Sequence, residues 1–168
     1  MHPAWLEPAE WLGADLAARF PLHLISNQPS TRLHSQYDNG GYSQDSKVQG
    51  REPIRLHPDD ARPRGIAAGD VVRVFNDRGS CLAGAVLDPN LRRSVVQLST
   101  GAWWDPVAPG VPDALDRHGN PNVLTLDKGT SRLAQGPIAQ TALVQLERFE
   151  GDLPAVEAFA QPEIVGRA

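Results

Sequence analysis

Apolar positions along this chain come in short runs separated by turn-forming residues, and no run keeps a helical period for long. Residues 71–87 are the clearest. VVRVF (71–75) reads as a strand, NDRG (76–79) as a hairpin turn with Gly79 where positive φ is wanted, and SCLAGAVL (80–87) as the return strand. The small residues of that return strand allow close backbone approach. LHLI (22–25), PIRLH (53–57, with Ile54 and Leu56 on one face), SVVQL (94–98), NVLTL (122–126) and TALVQLE (141–147) read as further short strands. Pro58, Asp59, Asp60 and Ala61 predict a short helix, with a proline and two acids at its positive end. Residues 8–12 and 14–20 are weaker helical candidates, and Trp5 and Trp11 beside them need something to pack against. Six to seven short strands with short helices predict a mainly β chain closed, or nearly closed, into a barrel. Residues 1–20 are expected to be a lead-in packing on the barrel or on another domain. Residues 21–150 would form the barrel domain and 151–168 a mobile C-terminal tail.

Composition narrows this picture. At 168 residues the chain has room for one domain with a real core. It carries 15 Gly and 15 Pro, about half as many again as the usual ~12% share, which favours turns over long helices. No apolar run approaches the roughly 18 residues of a membrane helix, so no membrane partner is expected. A net charge of -4 gives no basis for nucleic-acid binding. The stretch MHPAWLEPAEW lacks a basic region followed by an apolar one, so no signal peptide is expected in it. The lone Cys81 excludes an internal disulfide.

Candidate chemistry concentrates just after the first strand. Residues 26–35 present Ser26, Asn27, Gln28, Pro29, Ser30, Thr31, Arg32, Leu33, His34 and Ser35, a polar loop on a buried strand and a common way to build a pocket for a large polar ligand. Reactive groups are missing. The five histidines show no metal-ligand spacing, no phosphate-loop or nucleophile-elbow motif occurs, and Ser beside His34 on a loop makes no activated nucleophile. His23 is expected to be a packed core residue. Asp59 and Asp60 are expected to cap their helix.

Seven stretches in order resemble a known family: HPAWLEPAEWLG (2–13), SNQPSTRLHSQ (26–36), GREP (50–53), HPDDARPRGIAAGDVVRVFNDRG (57–79), GAWWDP (101–106), GNPNVLTLDKGTSRLAQG (119–136) and AQTALVQLE (139–147). Together they resemble the C-terminal molybdopterin guanine dinucleotide-binding domain of the dimethyl sulfoxide reductase family, in its biotin sulfoxide, trimethylamine N-oxide and dimethyl sulfoxide reductase branch. The resemblance implies a double-psi β-barrel. It implies bis(molybdopterin guanine dinucleotide) with molybdenum in the full-length enzyme, with residues 26–35 contacting a pterin and pyrophosphate. Trp103 or Trp104 would pack beside the cofactor, and Asn122 and Gln140 would bond to it. Amides and hydroxyls suit a pterin's edges, an aromatic its face, and the Arg32 fork suits phosphate oxygens.

The metal-binding serine of that branch, and the other pterin and guanine contacts, match nothing in this chain. It therefore reads as a domain of an S-oxide or N-oxide reductase, with the remaining domains of that enzyme as its partners. Alone it is expected to be inactive and to hold the free cofactor weakly or not at all. In an excised domain, Trp5, Trp11 and the GAWWDP loop would leave an exposed apolar patch. A stand-alone β-barrel binding or assembly subunit is the alternative, which a natural start at Met1 would favour. The resemblance implies a cytoplasmic enzyme if it is a biotin sulfoxide reductase and a largely periplasmic one if it is either of the other two; a cytoplasmic location is the expectation for this chain.

Overall fold

The structure, a computed structural model, describes residue 2 and residues 4–161. Six strands close into a barrel: β1 (Leu22–Ile25), β2 (Pro53–Leu56), β3 (Val71–Asn76), β4 (Gly79–Leu87), β5 (Val95–Leu98) and β6 (Ala142–Arg148). Around the barrel they run β1-β5-β2-β4-β3-β6, with β1·β5 and β2·β4 parallel and the other neighbours antiparallel. Closure removes the unpaired edge that so many short strands would otherwise expose. This is the mainly β, short-helix barrel that the pattern of apolar runs predicts.

Period-two alternation fills the interior. Leu22 and Leu24 of β1, Ile54 and Leu56 of β2, Val72 and Val74 of β3, Val96 and Leu98 of β5, and Val144 and Leu146 of β6 all join one buried cluster. Each such side chain contributes roughly 1.5–3 kcal/mol by leaving water. The longest strand, β4, is buried on both faces. Cys81, Ala83 and Ala85 face the core, while a Cβ on Gly84 would run into Val48 of an overlying loop. Its small residues permit that close approach.

Two short helices punctuate the connections, α1 (Gly41–Gln44) and α2 (Pro58–Ala61). The cap of α2 is His57, whose Nδ1 accepts the Asp59 N–H at 3.0 Å. Asp59 pairs instead with Arg62 and Arg93, and Asp60 accepts the Ser94 N–H at 2.7 Å.

Several local expectations are corrected. Residues 122–126 form no strand: Pro121–Val123 is a 3₁₀ turn, with Asn120 as its cap and Pro121 at its first position. That combination starts helices rather than strands. Residues 8–12 are not helical, and residues 14–20 hold only a 3₁₀ turn, Asp15–Ala18. Gly79 does not adopt positive φ; it is needed because the Val123 carbonyl lies 2.9 Å from where a Cβ would be. His23 is half-buried, with Nε2 2.6 Å from the Gln140 carbonyl. The tail from 154 to 159 is fastened to the barrel rather than loose, as described below; residues 162–168 lie outside the described residues.

The lead-in is pinned by one buried carboxylate. Glu10 receives a two-pronged bond from Arg78 at 2.5 and 3.0 Å and accepts the Leu143 N–H at 2.8 Å. Trp5, edge-on to Trp11 at 5.9 Å, remains 71% exposed and Trp104 is 58% exposed, while Trp11 is half-buried and donates its Nε1 proton to Glu7 at 2.9 Å.

Candidate functional site

The polar loop after β1 is stapled from beneath. Arg32 turns inward, donating to the carbonyls of His34 (3.1 Å) and Thr100 (2.9 Å) and to Ser43 Oγ (3.2 Å). Its guanidinium also lies 3.3 Å from Asp38 and 3.1 Å from Glu52. Lys47 bridges the same two carboxylates at 2.7 Å each. Two cations and two carboxylates thus share one buried cluster, each compensating the desolvation of the others. It joins the loop, α1, the start of β2 and the GAWWDP stretch, whose Trp103 N–H donates to Asp38 Oδ2 at 2.9 Å. Burial alone would raise the Asp38 carboxyl, but Lys47, the Trp103 N–H and Arg32 outweigh it and hold its pKa below the usual value. The guanidinium expected to meet phosphate is therefore engaged inside the protein, because the loop needs an internal cation to cover Asp38 and Glu52.

A second buried carboxylate shapes the opposite side. Asp116 Oδ1 accepts the N–H groups of His118 (3.1 Å), Gly119 (2.7 Å) and Asn120 (2.8 Å), and Oδ2 that of Asp105 (2.8 Å). Burial raises its pKa, against the pull of those four bonds. The turn it folds runs through Gly119 at φ 93, and a Cβ there would meet Glu52. Asn120 then caps the 3₁₀ turn through the Asn122 N–H at 2.9 Å. Asn76 and Arg78 hold the Leu124 carbonyl beyond it at 2.8 and 2.7 Å. Asn122 is left exposed on this rigid turn.

His118 sits between the two carboxylate systems, fully buried. Its Nδ1 is 2.9 Å from the Trp103 carbonyl, which can only accept, so Nδ1 carries the proton. Nε2 has no partner among the described residues. Burial first, then the Lys47 charge, lower its pKa, while the Trp103 carbonyl, Asp38 and Asp116 oppose this. The unfolded chain gains a proton on this ring below about pH 6.5, where the folded chain does not. The His118 contribution to stability is therefore complete above that pH and falls as pH drops toward the lower folded value. Urea midpoints taken from about pH 7.5 down to about pH 5 are expected to decline, and to decline less steeply in His118→Gln. Equal slopes in the two proteins would contradict this.

Between these supports lie two adjoining concavities. One, of about 590 Å³, is lined by Ser26, His34, Thr100, Asn122 and Gln140 among others. The next, of about 410 Å³, shares His34, Thr100 and Asn122 and adds Ser35, Trp103 and Trp104. Seven of the predicted residues from four stretches of the chain thus border one groove. Asn27, Gln28, Pro29, Ser30 and Thr31 line a separate hollow of about 340 Å³ together with Arg55 and Gln97. Leu33 is exposed and borders none of these three. Gln140 spends its amide on the Ser26 backbone just past the end of β1, accepting its N–H at 3.0 Å and donating to its carbonyl at 2.5 Å. Trp103 Nε1 donates to the Ser35 carbonyl at 2.8 Å. A Cβ on Gly101, at φ 93, would clash with the His34 carbonyl, so this glycine brings the two walls together.

The sequence reading missed Asp38, Lys47, Glu52, Asp105, Asp116 and His118. Asp116 carried a signal, an Asp just before a Gly-containing turn. The others became partners only through pairing across more than one loop.

Fold and groove together define a β-barrel binding domain with a polar, indole-edged groove. The Molydopterin dinucleotide binding domain family matches residues 22–143. The chain is 50% identical over 151 residues to the biotin sulfoxide reductase of Cereibacter sphaeroides, covering 90% of this chain and 20% of that protein. It is 44% identical over 162 residues to the dimethyl sulfoxide/trimethylamine N-oxide reductase of the same organism, covering 96% and 20%. Against the trimethylamine-N-oxide reductase of Salmonella typhi it is 47% identical over 163 residues, covering 96% and 19%. The chain belongs to the Molydopterin dinucleotide binding domain family, and spans about a fifth of the length of these relatives. Among solved structures, acetylene hydratase from Pelobacter acetylenicus shares the fold, with a TM-score of 0.70 over 88% of this chain and 21% of that one at 19% identity.

Proposed function

We propose that this chain forms one wall of a bis(molybdopterin guanine dinucleotide) site in a molybdenum-dependent S-oxide or N-oxide reductase, closed by the remaining domains of the same enzyme. The supporting observation is the convergence of Ser26, His34, Ser35, Trp103, Trp104, Asn122 and Gln140 on one groove. Its chemistry suits a pterin: an exposed amide on Asn122, hydroxyl and imidazole groups across from it, and indole faces alongside. Asn122 and Ser35 would hold the heterocycle's polar edge and Trp104 would cover its face. Gln140 acts through Ser26, and Arg32 acts by holding the loop. When bound, the molybdenum centre supplies the oxygen-atom transfer. Its protein ligand would come from the other domains, as would most of the burial that makes such a ligand tight.

A chimera tests this. The corresponding fifth of the Cereibacter sphaeroides biotin sulfoxide reductase is replaced by this chain, and molybdenum content and the electronic spectrum are measured. The chimera is expected to hold the metal and cofactor, Asn122→Ala to reduce that content, and the chain alone to lack stoichiometric molybdenum. A folded chimera empty of cofactor would return the chain to the role of a stand-alone binding module.

A further inference from the structure

Residues 154–159 have little regular structure, yet they are fastened along their length. Arg51 donates to the Pro154 carbonyl at 2.6 Å, and Arg117 to the Ala155 carbonyl at 3.1 Å and the Glu157 carboxylate at 3.0 Å. Asp105 Oδ2 accepts the N–H groups of Glu157 (2.7 Å) and Ala158 (3.0 Å), while its Oδ1 takes Arg117 Nε at 3.0 Å. Asp105 is buried and stands two residues after Trp103 in the GAWWDP stretch. One short stretch therefore faces two ways, with its indoles on the groove and its carboxylate on the tail.

The fastening delivers one ring. Phe159 lies 5.2 Å from the Trp103 ring, tilted by 56°, and 5.0 Å from the His118 ring, edge to face at 88°. The Trp103 backbone is fixed by Asp38 and His118, while the residue is 37% exposed and its indole makes one hydrogen bond, to the Ser35 carbonyl, and one ring contact, with Phe159, among the described residues. Without Phe159 the indole would lose its one aromatic neighbour and keep its single hydrogen bond, beside the 410 Å³ concavity that it lines.

We propose that the C-terminal segment 154–159 positions the Trp103 indole at the groove, with Phe159 as the positioning residue. This rests on the groove being a cofactor wall. The tail thus acts on the site without lining it, and Asp105 couples the two.

The test has two arms. In the full chain carrying Trp5→Phe, Trp11→Phe and Trp104→Phe, Trp103 is the sole tryptophan, excited selectively on the red side of tyrosine absorption. Phe159→Ala is expected to shift its emission to the red and to raise its acrylamide quenching constant about twofold, with Phe159→Tyr restoring both. In the chimera, Phe159→Ala is expected to lower cofactor retention and Phe159→Tyr to restore it. Unmoved Trp103 emission overturns the proposal, and so does a moved emission with unchanged retention. A parent chimera empty of cofactor overturns the groove reading and the proposal with it. Deleting residues 154–168 should reproduce the fluorescence change of Phe159→Ala, and failure to do so also overturns the proposal.

Discussion

Asp116→Ala is expected to cost about 4 kcal/mol or more, since a buried N–H left without an acceptor costs ~1–3 kcal/mol. Four N–H groups lose theirs at once, those of Asp105, His118, Gly119 and Asn120. That is a large part of the ~5–15 kcal/mol total of an ordinary domain. Asp116→Asn keeps one acceptor oxygen for the three bonds of the turn and sets an amide N–H against the fourth donor, so it should fall between alanine and the native residue. Urea unfolding measures both. An alanine variant within about 1 kcal/mol of the parent would mean that the turn is held by something other than this carboxylate. The loss should reach the groove, because the same turn carries Asn120 and Asn122.

Lys47→Met is expected to cost about 3–5 kcal/mol, the usual penalty for removing one partner of a buried ion cluster. Lys47 is 1% exposed and bridges Asp38 and Glu52, so its loss leaves two buried carboxylates sharing Arg32 alone. Removing one of those carboxylates rebalances the charge. The double variant Lys47→Met with Glu52→Gln should therefore be more stable than the sum of the single losses predicts. Strict additivity in urea melts would show that the four groups do not act as a unit.

The two carboxylate systems also explain which parts of the molecule could be read from residues alone. The barrel could, because short apolar runs, several alternating with period two and one of small residues buried on both faces, are separated by turn-forming residues. The hairpin at 76–79 pairs in the expected register, Asn76 with Gly79. The same local logic misread residues 122–126, where apolar alternation outweighed the helix-starting signal of Asn120 and Pro121. It misread Gly79 as well, where the reason for glycine is the Val123 carbonyl, a contact between distant parts of the chain.

The candidate site divides along the same line. Residue types suited to a flat polar heterocycle were visible in the loop at 26–35, in GAWWDP and in Asn122, and the groove brings several of them together. Their division of labour was not visible. Arg32 looks like a phosphate fork until Asp38 and Glu52 are seen beneath it, and Gln140 looks like a ligand contact until its amide is found on the Ser26 backbone.

The sequence by itself determined a closed barrel of short strands and the family that carries it, because alternation and ordered motifs are local properties of the chain. Only the tertiary structure decided which polar groups face the groove and which are spent inside. It alone decided that the tail reaches Trp103 through Phe159. Burial and pairing depend on what lies opposite each side chain, and at Arg32, Lys47, Asp105 and Asp116 that partner comes from another part of the fold.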